Sequence, residues 1–204
     1  MYIQKFVKGI SGKDGEGLRW SEARRCIDDH LGIPSNWLRS VKNYRFDPAE
    51  LVAELTDHQL DRHVHDYARF GQQSPFISLG AGCVERDVLL SANYMYSAKD
   101  TALDFATNAF DHPGVLFYGW VIVALNPTVE VAAVAESIRD LNVYHRWSPY
   151  QLEGEITAKV QVPANQIDRI EWWDPDNDTA APTDVYDNPD YTSPARITNL
   201  REFF

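Results

Sequence analysis

The chain of 204 residues is 44% hydrophobic, 12% aromatic and 24% charged. This composition excludes a disordered polymer and suits one domain that needs no disulfide or metal staple. A formal charge of −11 argues against a long phosphate backbone as the default partner, because like charges repel at a distance. No run of eighteen apolar residues occurs, so no membrane-spanning helix is expected, and Met1–Lys5 lacks the cationic and then apolar pattern of a secretory signal.

In chain order, residues 1–40 read as a lead-in whose regular part is a helix over 18–31. Ala23, Ile27 and Leu31 recur four apart there and form one apolar stripe. The Gly-rich segment 12–17 before it reads as a surface loop and not a phosphate loop, since no Gly-Lys-Ser/Thr follows at the required spacing. Val41 to Phe46 alternates like a short strand that ends at Asp47-Pro48. A helical pattern over 49–69 buries Leu51, Leu55, Leu60 and Val64, and Gly71 stops it. Pro75 to Leu79 reads as a strand broken by Gly80-Ala81-Gly82. A helix over 100–110 carries Ala102, Phe105, Ala106 and Ala109 on one face, and Pro113-Gly114 closes it.

The second half is richer in strands. Val115 to Leu125 is an almost unbroken apolar run, as a strand covered on both faces would be. Residues 129–141 suggest a short helix. Strict alternation from Glu155 to Val162 places Ile156, Ala158, Val160 and Val162 on one face, and Ile167 to Trp172 is a further strand. The tail over 174–204, rich in Asp, Asn, Pro and Thr, reads as irregular surface chain. Helices between strands, with antiparallel-looking alternation late in the chain, predict a single α+β domain over 1–204. Cys26 and Cys83 are expected to be reduced thiols, and His63 and His65 to lie on a solvated helix face.

Three segments carry candidate chemistry. Tyr44-Arg45-Phe46-Asp47 places an arginine among aromatics. Phe76-Ile77-Ser78 puts a hydroxyl at the end of an aromatic strand. Gln151-Leu152-Glu153-Gly154-Glu155 places two carboxylates at i and i+2 at a strand entrance, where they share a face and repel. In this order the segments resemble the ADP-ribosyltransferases of the arginine–serine–glutamate, cholera-toxin-like class. The resemblance covers roughly residues 41–173. It departs from the family's pattern at Ser78-Leu79-Gly80, where a second hydroxyl is often found, and in a long link over 83–97.

The resemblance implies two packed antiparallel sheets flanked by helices, with NAD held as substrate in the cleft between them and no metal required. It implies that Arg45 grips the NAD phosphates with its forked guanidinium, helped by Tyr44, Phe76 and Gln151 at the binding site. Ser78 would hold Glu155. Glu155 would stabilise the oxocarbenium-like transition state as nicotinamide leaves, and Glu153 would take the acceptor's proton. A second register, with Gln151 and Glu153 as the Gln-x-Glu pair, stays open. Trp147 and Tyr150 would face the target. The implied activity is mono-ADP-ribosyl transfer to an acceptor, a protein arginine first, with NAD glycohydrolysis and nucleic-acid modification as alternatives and a non-enzymatic binding module last. A toxin or delivered effector acting in the cytosol of a producing or target cell, with an immunity or antitoxin protein as a further partner, would fit that family.

Overall fold

The structure, a computed structural model, describes residues 2–15, 17–81, 84–86, 94–96, 98–123, 134–137, 155–177 and 179–196. Its centre is a pair of ten-residue strands, β1 (Tyr2–Ser11) and β6 (Gly114–Val123), antiparallel in unbroken register from Tyr2↔Val123 to Ser11↔Gly114. Between them in sequence come β3 (Phe76–Gly80) and the small hairpin of β4 (Val84–Arg86) and β5 (Tyr94–Tyr96). After them come β7 (Val134–Ser137), β8 (Glu155–Lys159), β9 (Gln161–Val162), β10 (Ile167–Trp173) and β11 (Asp184–Asp187). The two-residue β2 (Ile33–Pro34) pairs with β9.

Seven strands join in the order β1-β3-β8-β7-β6-β10-β11, and β1 also pairs with β6, so the first five close into a ring. The pairings are antiparallel except β6 with β7. The architecture is thus a mixed α/β domain built on a mainly antiparallel sheet with helices. Where two separate packed sheets were expected, one connected sheet folds round on itself, joined at the single β1–β3 bridge Val7↔Gly80 and at the short β6–β7 pair.

The expectation for β6 holds: Val115, Leu116, Phe117, Trp120, Val121 and Ile122 are wholly buried. One face of the sheet takes α1 (Trp20–Asp28) through Ala23, Cys26 and Ile27, and the other takes α5 (Ala98–Thr107) through Ala102, Leu103 and Ala106. Phe105, expected on the buried face of α5, is 67% exposed, and Leu103 is buried instead. The reason is how closely α5 lies on β1: a Cβ on Gly9 would stand 2.0 Å from the Ala102 carbonyl oxygen. Only a glycine strand and small helix residues fit that contact.

Several sequence expectations are corrected. The lead-in opens with β1, the strand paired along its whole length to β6, rather than with irregular chain. Residues 41–46 are not a strand. A π-helical turn, Trp37–Val41, is followed by Asn43 and Tyr44 at φ 46° and 61°, which direct the chain outward. The helical run over 49–69 is three helices, α2 (Pro48–Glu54), α3 (Asp57–His65) and α4 (Tyr67–Phe70). Asp47 caps the first, accepting from the Ala49 N–H at 2.7 Å, and Thr56 starts the second, accepting from the Gln59 N–H at 3.2 Å. Leu55, Leu60 and Val64 are buried as expected, packed with Trp37, Leu38 and Phe76.

Residues 134–137 are strand, not helix, and the rest of 129–141 lies outside the described residues. The alternation from Glu155 to Val162 is interrupted at Val160. Its φ of 62° turns the chain from β8 into β9 while its N–H reaches the Pro75 carbonyl at 2.7 Å. A β-branched residue rarely adopts that conformation, so the tertiary contact imposes it. The tail supplies β11 and the buried Asn188, whose amide reaches the carbonyls of Ala164 at 2.9 Å and Ile167 at 2.7 Å. Among the described residues, no helix is long and apolar enough to cross a membrane.

Candidate active-site cleft

The strand that carries Ser78 lies between β1 and β8, and its outer end opens on a cleft of about 500 Å³. The cleft runs from Lys8 on β1 past Ser78 and His63 to Cys26, Arg39 and Tyr44. A smaller apolar recess of about 130 Å³ continues it beneath α5, sharing Lys8, His63, Tyr67, Ser78 and Phe105. The Lys8 ammonium sits 5.6 Å from the centre of the exposed Phe105 ring at the mouth. A cleft lined by charged and polar groups that leads into an apolar recess offers a small molecule both kinds of contact.

The antiparallel register of β3 and β8 sets Ser78 opposite Thr157 and Gly80 opposite Glu155. Two segments more than seventy residues apart in sequence are therefore hydrogen-bonded neighbours. The strand period of two puts backbone positions 78, 80, 155 and 157 on one face. Thr157 is wholly buried, and its Oγ1 has no hydrogen-bond partner among the described residues. Glu153, Gln151, Trp147 and Tyr150 lie outside the described residues.

His63, expected on a solvated face, is 3% exposed and stands at the centre of the cleft wall. Its Nε2 lies 3.0 Å from Ser78 Oγ, and its Nδ1 lies 2.7 Å from Oγ of the buried Ser74. The Phe76 N–H donates to the same Ser74 oxygen at 3.1 Å. Tyr67 meets the imidazole edge-on with ring centres 5.3 Å apart. Burial holds the His63 pKa down at about 3, and the Lys8 charge across the cleft pushes the same way. A usable signal was present in the sequence: His63 falls three residues after Leu60 and next to Val64, inside the apolar stripe of α3.

Arg45 is exposed beyond the Asn43–Tyr44 turn, and among the described residues the cleft is lined by its neighbour Tyr44 and not by Arg45. The cations that do line it are Lys8, Arg25 and Arg39. Arg39 is oriented by Asn36, which accepts from its guanidinium at 3.1 Å and donates to the Gly71 carbonyl at 2.8 Å. Arg25 is engaged by Asp29 at 2.7 Å. Phe76 is buried and supports the serine strand. Cys26 is a free thiol whose pKa is pushed up to about 11, chiefly by burial, so it stays protonated and is a poor nucleophile. Among the described residues, no group of three or more His, Cys, Asp or Glu is placed to hold a metal ion.

Another carboxylate on the sheet is occupied structurally. Glu171 accepts from the Tyr118 hydroxyl at 2.8 Å, the Trp173 indole at 3.1 Å and the Arg169 guanidinium at 3.0 Å. Such a carboxylate is saturated and suited to holding β10 and β6 together.

No family model matches the chain, and no curated protein does. Among solved structures it is similar to a point variant of the A subunit of heat-labile enterotoxin, at 15% identity and a TM-score of 0.43, over 92% of this chain and 75% of that one.

Proposed function

We propose that the cleft binds NAD and that the protein transfers its ADP-ribosyl group to an acceptor, a protein arginine being the first candidate. The observation that carries this reading is the β3–β8 register, which sets the strand that begins at Glu155 beside the strand whose Ser78 lines the cleft. This is the juxtaposition that the serine and glutamate motifs require if they serve one reaction.

In this reading the nicotinamide ribose lies against Ser78 and Glu155, and the diphosphate lies toward Lys8 and Arg39. The role expected of Arg45 passes to cations that line the cleft, and the forked guanidinium of Arg39 suits two phosphates better than a point charge would. The C–N bond between ribose and nicotinamide breaks with its electron pair moving to the pyridinium nitrogen, so neutral nicotinamide leaves. The cationic ribosyl centre that develops is stabilised by the Glu155 carboxylate. The acceptor nucleophile then bonds to that carbon, and its proton passes to Glu153. His63, uncharged at neutral pH, adds no positive charge beside the developing cation.

The test is incubation with NAD labelled in the adenylate moiety together with a cell lysate, following nicotinamide release and the fate of the label. Label entering protein supports transfer. Label found only in free ADP-ribose makes the protein a glycohydrolase, and label in nucleic acid selects the Gln151/Glu153 register. Absence of nicotinamide release in every case would end the reading.

A further inference from the structure

We propose that Ser74 and His63 form a one-way hydrogen-bond relay that holds Ser78 as a donor into the cleft and prevents it from acting as a nucleophile. The relay's direction follows from counting protons. Ser74 Oγ is buried and already accepts the Phe76 N–H. Its single hydroxyl proton needs an acceptor, and among the described residues the one in reach is His63 Nδ1 at 2.7 Å. A buried hydroxyl without an acceptor is costly, so Ser74 donates and Nδ1 accepts. A neutral imidazole that accepts at Nδ1 carries its proton on Nε2. That N–H points at Ser78 Oγ, 3.0 Å away, and donates to it. The proton of Ser78 must then turn away from His63, toward the cleft that Ser78 lines and the β8 strand beside it.

The opposite direction would make His63 a general base and Ser78 a nucleophile, the arrangement of a serine hydrolase. That chemistry needs an imidazolium stabilised from behind by a carboxylate. Here the group behind the ring is a hydroxyl. Among the described residues, the groups around the imidazole are Ser74, Phe76 and Ser78 of the serine segment, Tyr67 of α4 and Lys8 of β1, and of these the charged one, Lys8, is cationic. The site therefore opposes the imidazolium that a nucleophilic serine would require.

The relay's direction does not depend on the ligand; only what the Ser78 proton meets rests on the NAD reading. There it would donate to the Glu155 carboxylate or to a ribose oxygen, making Ser74 and His63 positioning residues.

The experiment is an imidazole-nitrogen correlation spectrum of uniformly nitrogen-15-labelled full-length protein at neutral pH, with His63 identified by its loss in His63→Gln. The expected signature is a protonated Nε2 with an unprotonated Nδ1, replaced in Ser74→Ala by a mixture of tautomers and restored in Ser74→Thr. NAD turnover by Ser74→Ala should fall about tenfold in kcat, one hydrogen bond's worth, with little change in KM and with recovery in Ser74→Thr. An Nδ1–H ring or an imidazolium in the wild type would overturn the relay, as would covalent labelling of Ser78 by a fluorophosphonate. A Ser74→Ala variant with unchanged tautomer would overturn it too. If the wild-type tautomer is as expected but no NAD is consumed, the relay stands and the NAD reading fails.

Discussion

Replacing His63 by Gln should flatten the acid limb of the stability profile. In the folded state burial holds the imidazole at a pKa of about 3, whereas in the unfolded chain it returns to the ordinary value of about 6.5. Because the folded value is the lower one, the unfolded state binds the proton first. Stability is complete above the unfolded pKa and is lost as pH falls toward the folded one. At about pH 5 the unfolded imidazole is almost fully protonated and the folded one almost not at all. The loss relative to about pH 8 is then one and a half pK units, or about 2 kcal/mol. His63 is 3% exposed, so solvent screening takes little from that figure. Carboxylates also titrate in this range, but they do so alike in wild type and variant, and the difference isolates the histidine. The assay is urea denaturation of wild type and His63→Gln at about pH 8, 6 and 5, fitted with a common slope. The wild type should lose about 2 kcal/mol more than the variant over that range, whatever the variant's starting stability. Parallel profiles would show that His63 is solvated or charged in the folded protein, and the relay built on its neutrality would fall with it.

Arg39→Ala should raise the NAD dissociation constant by about tenfold or more, whereas Arg45→Ala should leave it within about twofold. Calorimetric titration with NAD decides, and the reverse order would return the phosphate role to Arg45. Glu155→Gln should lower nicotinamide release by about a hundredfold or more, since it removes a preorganised charge without changing shape. Glu153→Gln should lose transfer to protein but keep measurable NAD hydrolysis, because a guanidinium needs a base and the ribosyl bond does not. Transfer retained in Glu153→Gln but absent in Glu155→Gln would leave Glu153 without a role, and a dead Glu153→Gln beside an active Glu155→Gln would exchange the two. Gly9→Ala should cost about 1–3 kcal/mol in denaturant unfolding, because its Cβ would meet the Ala102 carbonyl at 2.0 Å and α5 must lift. Wild-type stability in that variant would mean that α5 does not seat on β1 as described.

The parts of this protein that its sequence determines are those whose signal is local. The apolar run of β6 reads as a strand covered on both sides, and six of its side chains are wholly buried. The stripe of α1 depends on contacts within a turn or two: Ala23 and Ile27 are buried on the helix as expected, although it ends at Asp28, short of Leu31. The serine and glutamate motifs were visible as residue types on strands. That β3 and β8 are neighbours, with Gly80 opposite Glu155, is a pairing between distant segments that no local periodicity encodes.

The tertiary structure alone decided the rest, for one recurring reason. A strand such as β1, a turn such as Asn43–Tyr44 or the left-handed Val160 is stabilised by what lies across from it, and that partner is remote in sequence. The same holds for His63. Whether a histidine on an amphipathic helix meets water or a buried serine depends on which strand the helix covers, and here it covers the Ser74–Ser78 segment. Arg45 shows the converse: the resemblance puts it at the NAD phosphates, but it lies exposed beyond two residues of positive φ, and among the described residues the cations that line the cleft are Lys8, Arg25 and Arg39.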